Sequence, residues 1–238
     1  MSALSAVFLR EFASFFRTPL GWVVVALFLF LSGIVFAYGT LYPGGPASLR
    51  EFFQTCWSLL IVVAPAISMR LVAEELRTGT IEPLLTSPLP EISIVLGKYL
   101  AGVAFLCTAL APTLVFAGLL MALSSPDPGP MIAGYAGIIL LGMLYLAVGT
   151  LLSCLTASQT LAFLSTLFVL VLVEMGSQRL AVVLPEPWSS LAIGLSSGVR
   201  VADFAKGVVD SAHVVYFLAV SGWLITLAGV VLRMRRWR

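Results

Sequence analysis

Residues 69–88 read Met69-Arg70-Leu71-Val72-Ala73-Glu74-Glu75-Leu76-Arg77-Thr78-Gly79-Thr80-Ile81-Glu82-Pro83-Leu84-Leu85-Thr86-Ser87-Pro88, a polar interlude in an oily chain. The 238 residues are 60% apolar and 10% charged, with mean hydropathy +1.08. Soluble domains carry about 25% charged residues. Eight of the charges (Glu51, Arg70, Glu74, Glu75, Arg77, Glu82, Glu91 and Lys98) fall between positions 51 and 98. On both sides of the interlude lie apolar runs of the ~20 residues that a ~30 Å hydrocarbon core demands. They lack the period-2 alternation of a membrane barrel. The interlude is thus a polar connection between membrane-spanning helices.

Outward from it, the spacing predicts an all-α, polytopic membrane domain filling residues 1–238. Residues 2–17 are amphipathic: Leu4, Phe8, Phe12, Phe15 and Phe16 fall at helical spacing, opposite Arg10, Ser14 and Arg17. Such a helix lies in the interface plane. Spans are expected at about 20–41, 52–71, 93–123, 131–155, 160–184 and 211–232. Thr18 is a candidate cap and Pro19 a first helical residue for the first span. That span carries no small-residue cleavage site after it and reads as a retained anchor. Pro65 marks a kink in span two. The third run exceeds the hydrocarbon thickness, so its first turns should be interfacial, with Lys98 snorkelling outward. In span four, Gly134, Gly137, Gly142 and Gly149 permit close helix approach. Residues 185–210, broken by Gly194, Gly198 and Gly207, read as two short helices that dip into the membrane or lie on its surface.

Six spans put both termini on one side. If that side is cytoplasmic, it holds Arg10, Arg17, Arg70, Arg77, Lys98, Arg233, Arg235, Arg236 and Arg238, against Arg50, Arg179, Arg200 and Lys206 opposite. Nine against four follows the positive-inside rule, and the interlude then faces the cytoplasm. Within it, Gly79 should end the extension of span two. Thr80 can then cap a short crosswise helix through Leu85, with Glu82 in its first turn and Pro83 near its start. A partner pushing on residues 80–86 would move spans two and three, with Leu84 and Leu85 as docking knobs and the glutamates meeting the partner's basic residues.

Several chemistries are missing. Gly97-Lys98 lacks the upstream glycine of a phosphate-binding loop. Glu74-Glu75 resembles the paired glutamates of CAAX-type proteases, but those need a further arginine at a set spacing and two histidines. Arg77 is one residue too close, and His213 is the chain's one histidine. Asp210 and His213 are too few for a metal; together they read as a capped helix start. Cys56, Cys107 and Cys154 read as core packers. Glu174, deep in span five with Gln178 and Arg179 close by, is either locally paired or snorkelling to the outer headgroup zone, or part of a pathway.

At Met69-Arg70 … Glu74-Glu75-x-Arg77-x-Gly79-Thr80-x-Glu82-x-Leu84-Leu85-Thr86-x-Pro88 … Val95-Leu96-Gly97-Lys98 the chain resembles the ABC-2 family of ATP-binding-cassette permeases, and within it the gliding-motility-associated subgroup. Phe16-Arg17-Thr18-Pro19-Leu20-Gly21, Gly149 to Gln159, and Lys206-Gly207-Val208-Val209-Asp210 extend the likeness. His213 and Ala205-Lys206 depart from the subgroup's usual acidic and Ser-Arg residues. The resemblance implies an export-type fold with an interfacial elbow helix, six spans, a coupling helix at 80–86 within segment 72–92, and re-entrant helices before span six. It assigns ATPase coupling to Glu74, Glu75, Arg77, Gly79, Thr80, Glu82, Leu84, Leu85 and Thr86. It also implies a second permease copy and separate cytoplasmic ATPase subunits. Those subunits would bind ATP and Mg, leaving this chain with no catalytic residue, cofactor or metal of its own. Some members work with an accessory periplasmic protein, or transmit force without moving a substrate. The setting implied is a bacterial plasma membrane, with no nucleic-acid partner. A motor-independent scaffold or channel is the rival reading.

Overall fold

Every long apolar run forms a helix in the computed structural model, which describes residues 3–41, 48–80, 90–183, 185–186, 188–189, 194 and 196–236. Among these residues there is no strand. Among the described residues, six helices are long and apolar enough to cross a membrane: Pro19–Thr40, Arg50–Thr78, Glu91–Leu123, Pro128–Leu155, Gln159–Ser177 and Ser211–Arg235, here spans one to six. The protein is therefore an all-α polytopic membrane protein. A further helix, Ala3–Arg17, precedes the spans, and another, Ser197–Ala205, precedes span six. Residues 42–47 and most of 185–195 lie outside the described residues, so of the two short helices expected over 185–210, Ser197–Ala205 is the one described.

Span four is the hub, and its glycines are the reason. A Cβ at Gly134 would lie 2.1 Å from the Phe53 ring, one at Gly137 2.7 Å from Phe204, and one at Gly142 2.1 Å from Leu106. At Gly149 it would lie 1.9 Å from Ser68 Oγ. Four missing side chains thus admit spans two and three and the helix Ser197–Ala205 to backbone contact, where dispersion replaces the weak apolar driving force available in lipid. Span four is the most buried, at 61% of its apolar window, followed by span two at 56%; spans one, five and six, at 28% each, form the periphery. Phe52, Phe53 and Tyr135 pack edge to face between spans two and four, and Trp57 Nε1 donates to Tyr145 Oη at 3.2 Å.

The helix Ala3–Arg17 packs along the start of span three. Gly97 makes this possible, since a Cβ there would meet Val7 at 3.0 Å. Phe15 stacks on Phe105 at 4.5 Å, and Phe16 meets the same ring edge-on. Thr18 is extended and Pro19 begins span one, but Thr18 gives no forward cap. Its hydroxyl turns back to the Ser14 and Phe15 carbonyls.

Candidate functional site

Span two runs as a helix through Pro65 to Ser68, breaks over 69–72, and resumes as a six-residue arm, Ala73–Thr78. The break exposes amide groups that a continuous helix would have paired. Ser153 of span four takes them up: its Oγ accepts from the Val72 and Ala73 amides at 3.2 and 3.0 Å and donates to the Met69 carbonyl at 3.2 Å. One hydroxyl, one helical turn beyond Gly149, therefore seats the arm on the hub. The arm ends at Gly79, whose φ of +72° is left-handed and favours glycine. Thr78 and Thr80 hydroxyls meet at 2.9 Å. Glu82, Leu84, Leu85 and Thr86 lie outside the described residues.

Four ions join three elements beside the arm. Lys98 Nζ of span three lies 2.9 Å from both Glu11 Oε1 of the N-terminal helix and Glu75 Oε1 of the arm. Arg10 reaches the same two carboxylates at 2.9 and 2.8 Å. Two cations and two anions make a neutral cluster, which is how charge survives removal from water. Lys98 is 1% exposed, which corrects the expectation that it snorkels outward. The close approach at Gly97 roofs it with the N-terminal helix, and Glu11 and Glu75 then neutralise it in place. Glu75 Oε1 is likewise bound within the chain. Arg70 bonds Thr18 Oγ1 at 2.5 Å, lies 5.5 Å from the Phe15 ring centre and pairs with Glu74 at 3.5 Å. These groups rim an open cavity of about 410 Å³. Arg77 is exposed and faces residues 156–160, the link after span four and the first residues of span five, across a second cavity of about 560 Å³.

A second polar cluster lies deep among the spans. Glu174 is 2% exposed, and its Oε1 accepts from Tyr145 Oη at 2.9 Å and from the Ser197 hydroxyl. Trp57 and Tyr145 extend this into a chain from span two to span five. Arg179, one of the two local partners expected for Glu174, is exposed instead; nothing is described of the Gln178 side chain. Near the start of span six, Arg200 stacks on Tyr216 at 3.8 Å and bonds His213 Nδ1 at 3.0 Å. The Lys206 ammonium, 2.9 Å away, holds Asp203 below the usual carboxylate range.

Glu75 stands out in the sequence, whereas Glu11, Ser153 and Tyr145 do not. Apart from the adjacent Arg10-Glu11 pair and the four-residue step from Gly149 to Ser153, nothing in the sequence marks them.

A model of the ABC-2 family transporter protein matches residues 5–194. This is well over half of the chain. The chain belongs to the ABC-2 family of transporter proteins. The matched region of this ABC-2 protein includes all four members of the ion cluster, the arm, Ser153 and Glu174, and it stops short of Ser197. A comparison with individual curated proteins gives no match. Family membership makes this ABC-2 protein a membrane subunit rather than the ATPase itself.

Proposed function

We propose that the chain is the permease half of an export-type ABC-2 transporter, and that a separate ATPase grips it through residues 69–88. Both termini and the arm then face the cytoplasm of a bacterial cell, two permease copies pair, and ATP and Mg are held by the ATPase. Within the family we assign it to the gliding-motility-associated subgroup, on the sequence likeness at 69–98. In this reading Glu74, Arg77 and Thr80 sit at the surface the ATPase meets. Glu82, Leu84, Leu85 and Thr86 complete the contact.

The observation that carries the reading is the ion cluster. The arm is bound at once to the N-terminal helix through Arg10 and Glu11, to span three through Lys98 and to span four through Ser153. A force on the arm therefore reaches spans two, three and four and the N-terminal helix together, as a lever requires and a solvated loop does not. Spans packed on glycine respond as rigid bodies rather than by compression.

Co-purification from native membranes tests this. Wild-type chain should retain a nucleotide-hydrolysing subunit. Glu75→Lys, which places three cations against one carboxylate, and Gly79→Pro, which cannot take a positive φ, should lose that subunit while still inserting in the membrane. Normal complex yield from both variants would overturn the assignment.

A further inference from the structure

Among the described residues, spans five and six both pack on span four. Between them remains a cleft of about 310 Å³, near the lower end of the ~300–1,000 Å³ typical of small-molecule sites. Leu144, Val173, Val220 and Leu224 make most of its wall apolar, and Tyr145 and Glu174 supply polar atoms. Glu174 is not fully satisfied there. Its Oε1 takes two hydroxyl donors, and the amides that begin the helix Ser197–Ala205 face the carboxyl group. Its Oε2 is buried and has no hydrogen-bond partner. No ion pair reaches Glu174 among the described residues. Capping the helix Ser197–Ala205 would explain Oε1 and leave Oε2 without a role. A buried carboxylate oxygen without a donor is costly, and functional ionisable groups within membranes usually have a named partner. What Glu174 lacks is a donor, best a cation, attached to something apolar enough to lie along the valines of the cleft it lines.

We propose that this cleft binds an amphipathic amine, its ammonium head on Glu174 Oε2 and its hydrocarbon tail along Val173, Val220 and Leu224. The site deepens the export reading by naming a cargo class, and rests on that reading only in calling the ligand a cargo. Binding itself needs no ATPase, so the two succeed or fail separately. Either an aminolipid of the bilayer or a free alkylamine supplies this chemistry.

The test uses the full chain in phosphatidylcholine nanodiscs with two fluorescent probes, a dansyl-dodecylamine bearing a free amine and its neutral alcohol analogue, with empty nanodiscs subtracting partition. Wild type should bind the amine saturably. Glu174→Gln should weaken the amine at least about ten-fold and the alcohol less than about three-fold, as loss of a desolvated charge partner requires. Val220→Trp, which fills the cleft without touching the carboxylate, should weaken both. If Glu174→Gln does not fold, Val220→Trp decides alone: saturable binding that survives it refutes the site. Absence of saturable binding to wild type, equal amine affinity in wild type and Glu174→Gln, or equal losses of both probes in Glu174→Gln would each overturn the proposal. Competition by added phosphatidylethanolamine marks the bilayer as the source; amine binding that resists it marks the free amine. Both support the shared chemistry.

Discussion

Replacing Lys98 by methionine keeps the length and apolar stem of the side chain and deletes one charge. Glu11 and Glu75 then face each other across the space that Nζ occupied, each having been 2.9 Å from it. At a separation of ~5 Å and an effective dielectric of ~20, their repulsion is about 3 kcal/mol. Arg10 relieves only part of this, because its side chain is 51% exposed and screened. The expected loss of stability is therefore about 3 kcal/mol, the range found when one member of a buried ion pair is removed. Adding Glu75→Gln leaves Arg10 and Glu11 as a neutral pair, so the double variant should recover at least ~1.5 kcal/mol of the loss. Equilibrium unfolding in mixed micelles, followed by tryptophan fluorescence for all four corners of the cycle, measures both quantities. A Lys98→Met variant within ~1 kcal/mol of wild type, or a double variant no better than the single, would refute the neutral-cluster argument.

Gly149→Ala should cost several kcal/mol, about the upper end of overpacking losses, since its Cβ would lie 1.9 Å from Ser68 Oγ; Ser68→Ala should not fully relieve it, because Ser68 Cβ would still be 2.6 Å away. Thermal unfolding of the single and double variants checks this. Gly79→Ala meets nothing within 4 Å, so its cost should be only the ~1–2 kcal/mol of left-handed strain, and Gly79→Asn should cost less. Ser153→Ala strands two amides and a carbonyl at the helix break and should cost about 1–3 kcal/mol, with faster amide exchange at Val72 and Ala73. Near span six, the lowered Asp203 means that its contacts with Lys206 and His213 contribute above the ordinary carboxylate range and are lost as pH falls through its folded value. Amide exchange in Ser197–Ala205 should therefore rise below about pH 4, after allowance for the intrinsic exchange rate, and stay flat in Asp203→Asn.

The six spans were legible because bilayer thickness forces long apolar runs, and Gly134, Gly137, Gly142 and Gly149 announced that span four would be approached closely. Gly79 was legible for the same local reason, as a helix stop. Partners distant in sequence were not. Lys98 read as a snorkelling residue because its neighbours in the chain are apolar, whereas its carboxylates come from positions 11 and 75. Glu174 was visible as a buried ionisable group. Only residues one turn away could be named as its partners, yet its actual donors are Tyr145 and Ser197. Ser153 is one serine among many until the break at 69–72 is placed against it.

In the proposed assembly an ATPase holds this membrane subunit at residues 69–88. Photocrosslinking in native membranes tests it most directly, with a benzophenone amino acid at Leu84 and, as a control at the opposite ends of the spans, at Asp127. Position 84 should give a covalent adduct with a nucleotide-binding protein, and position 127 none. An adduct from 127 alone, or none from 84 while the complex is intact, would contradict it.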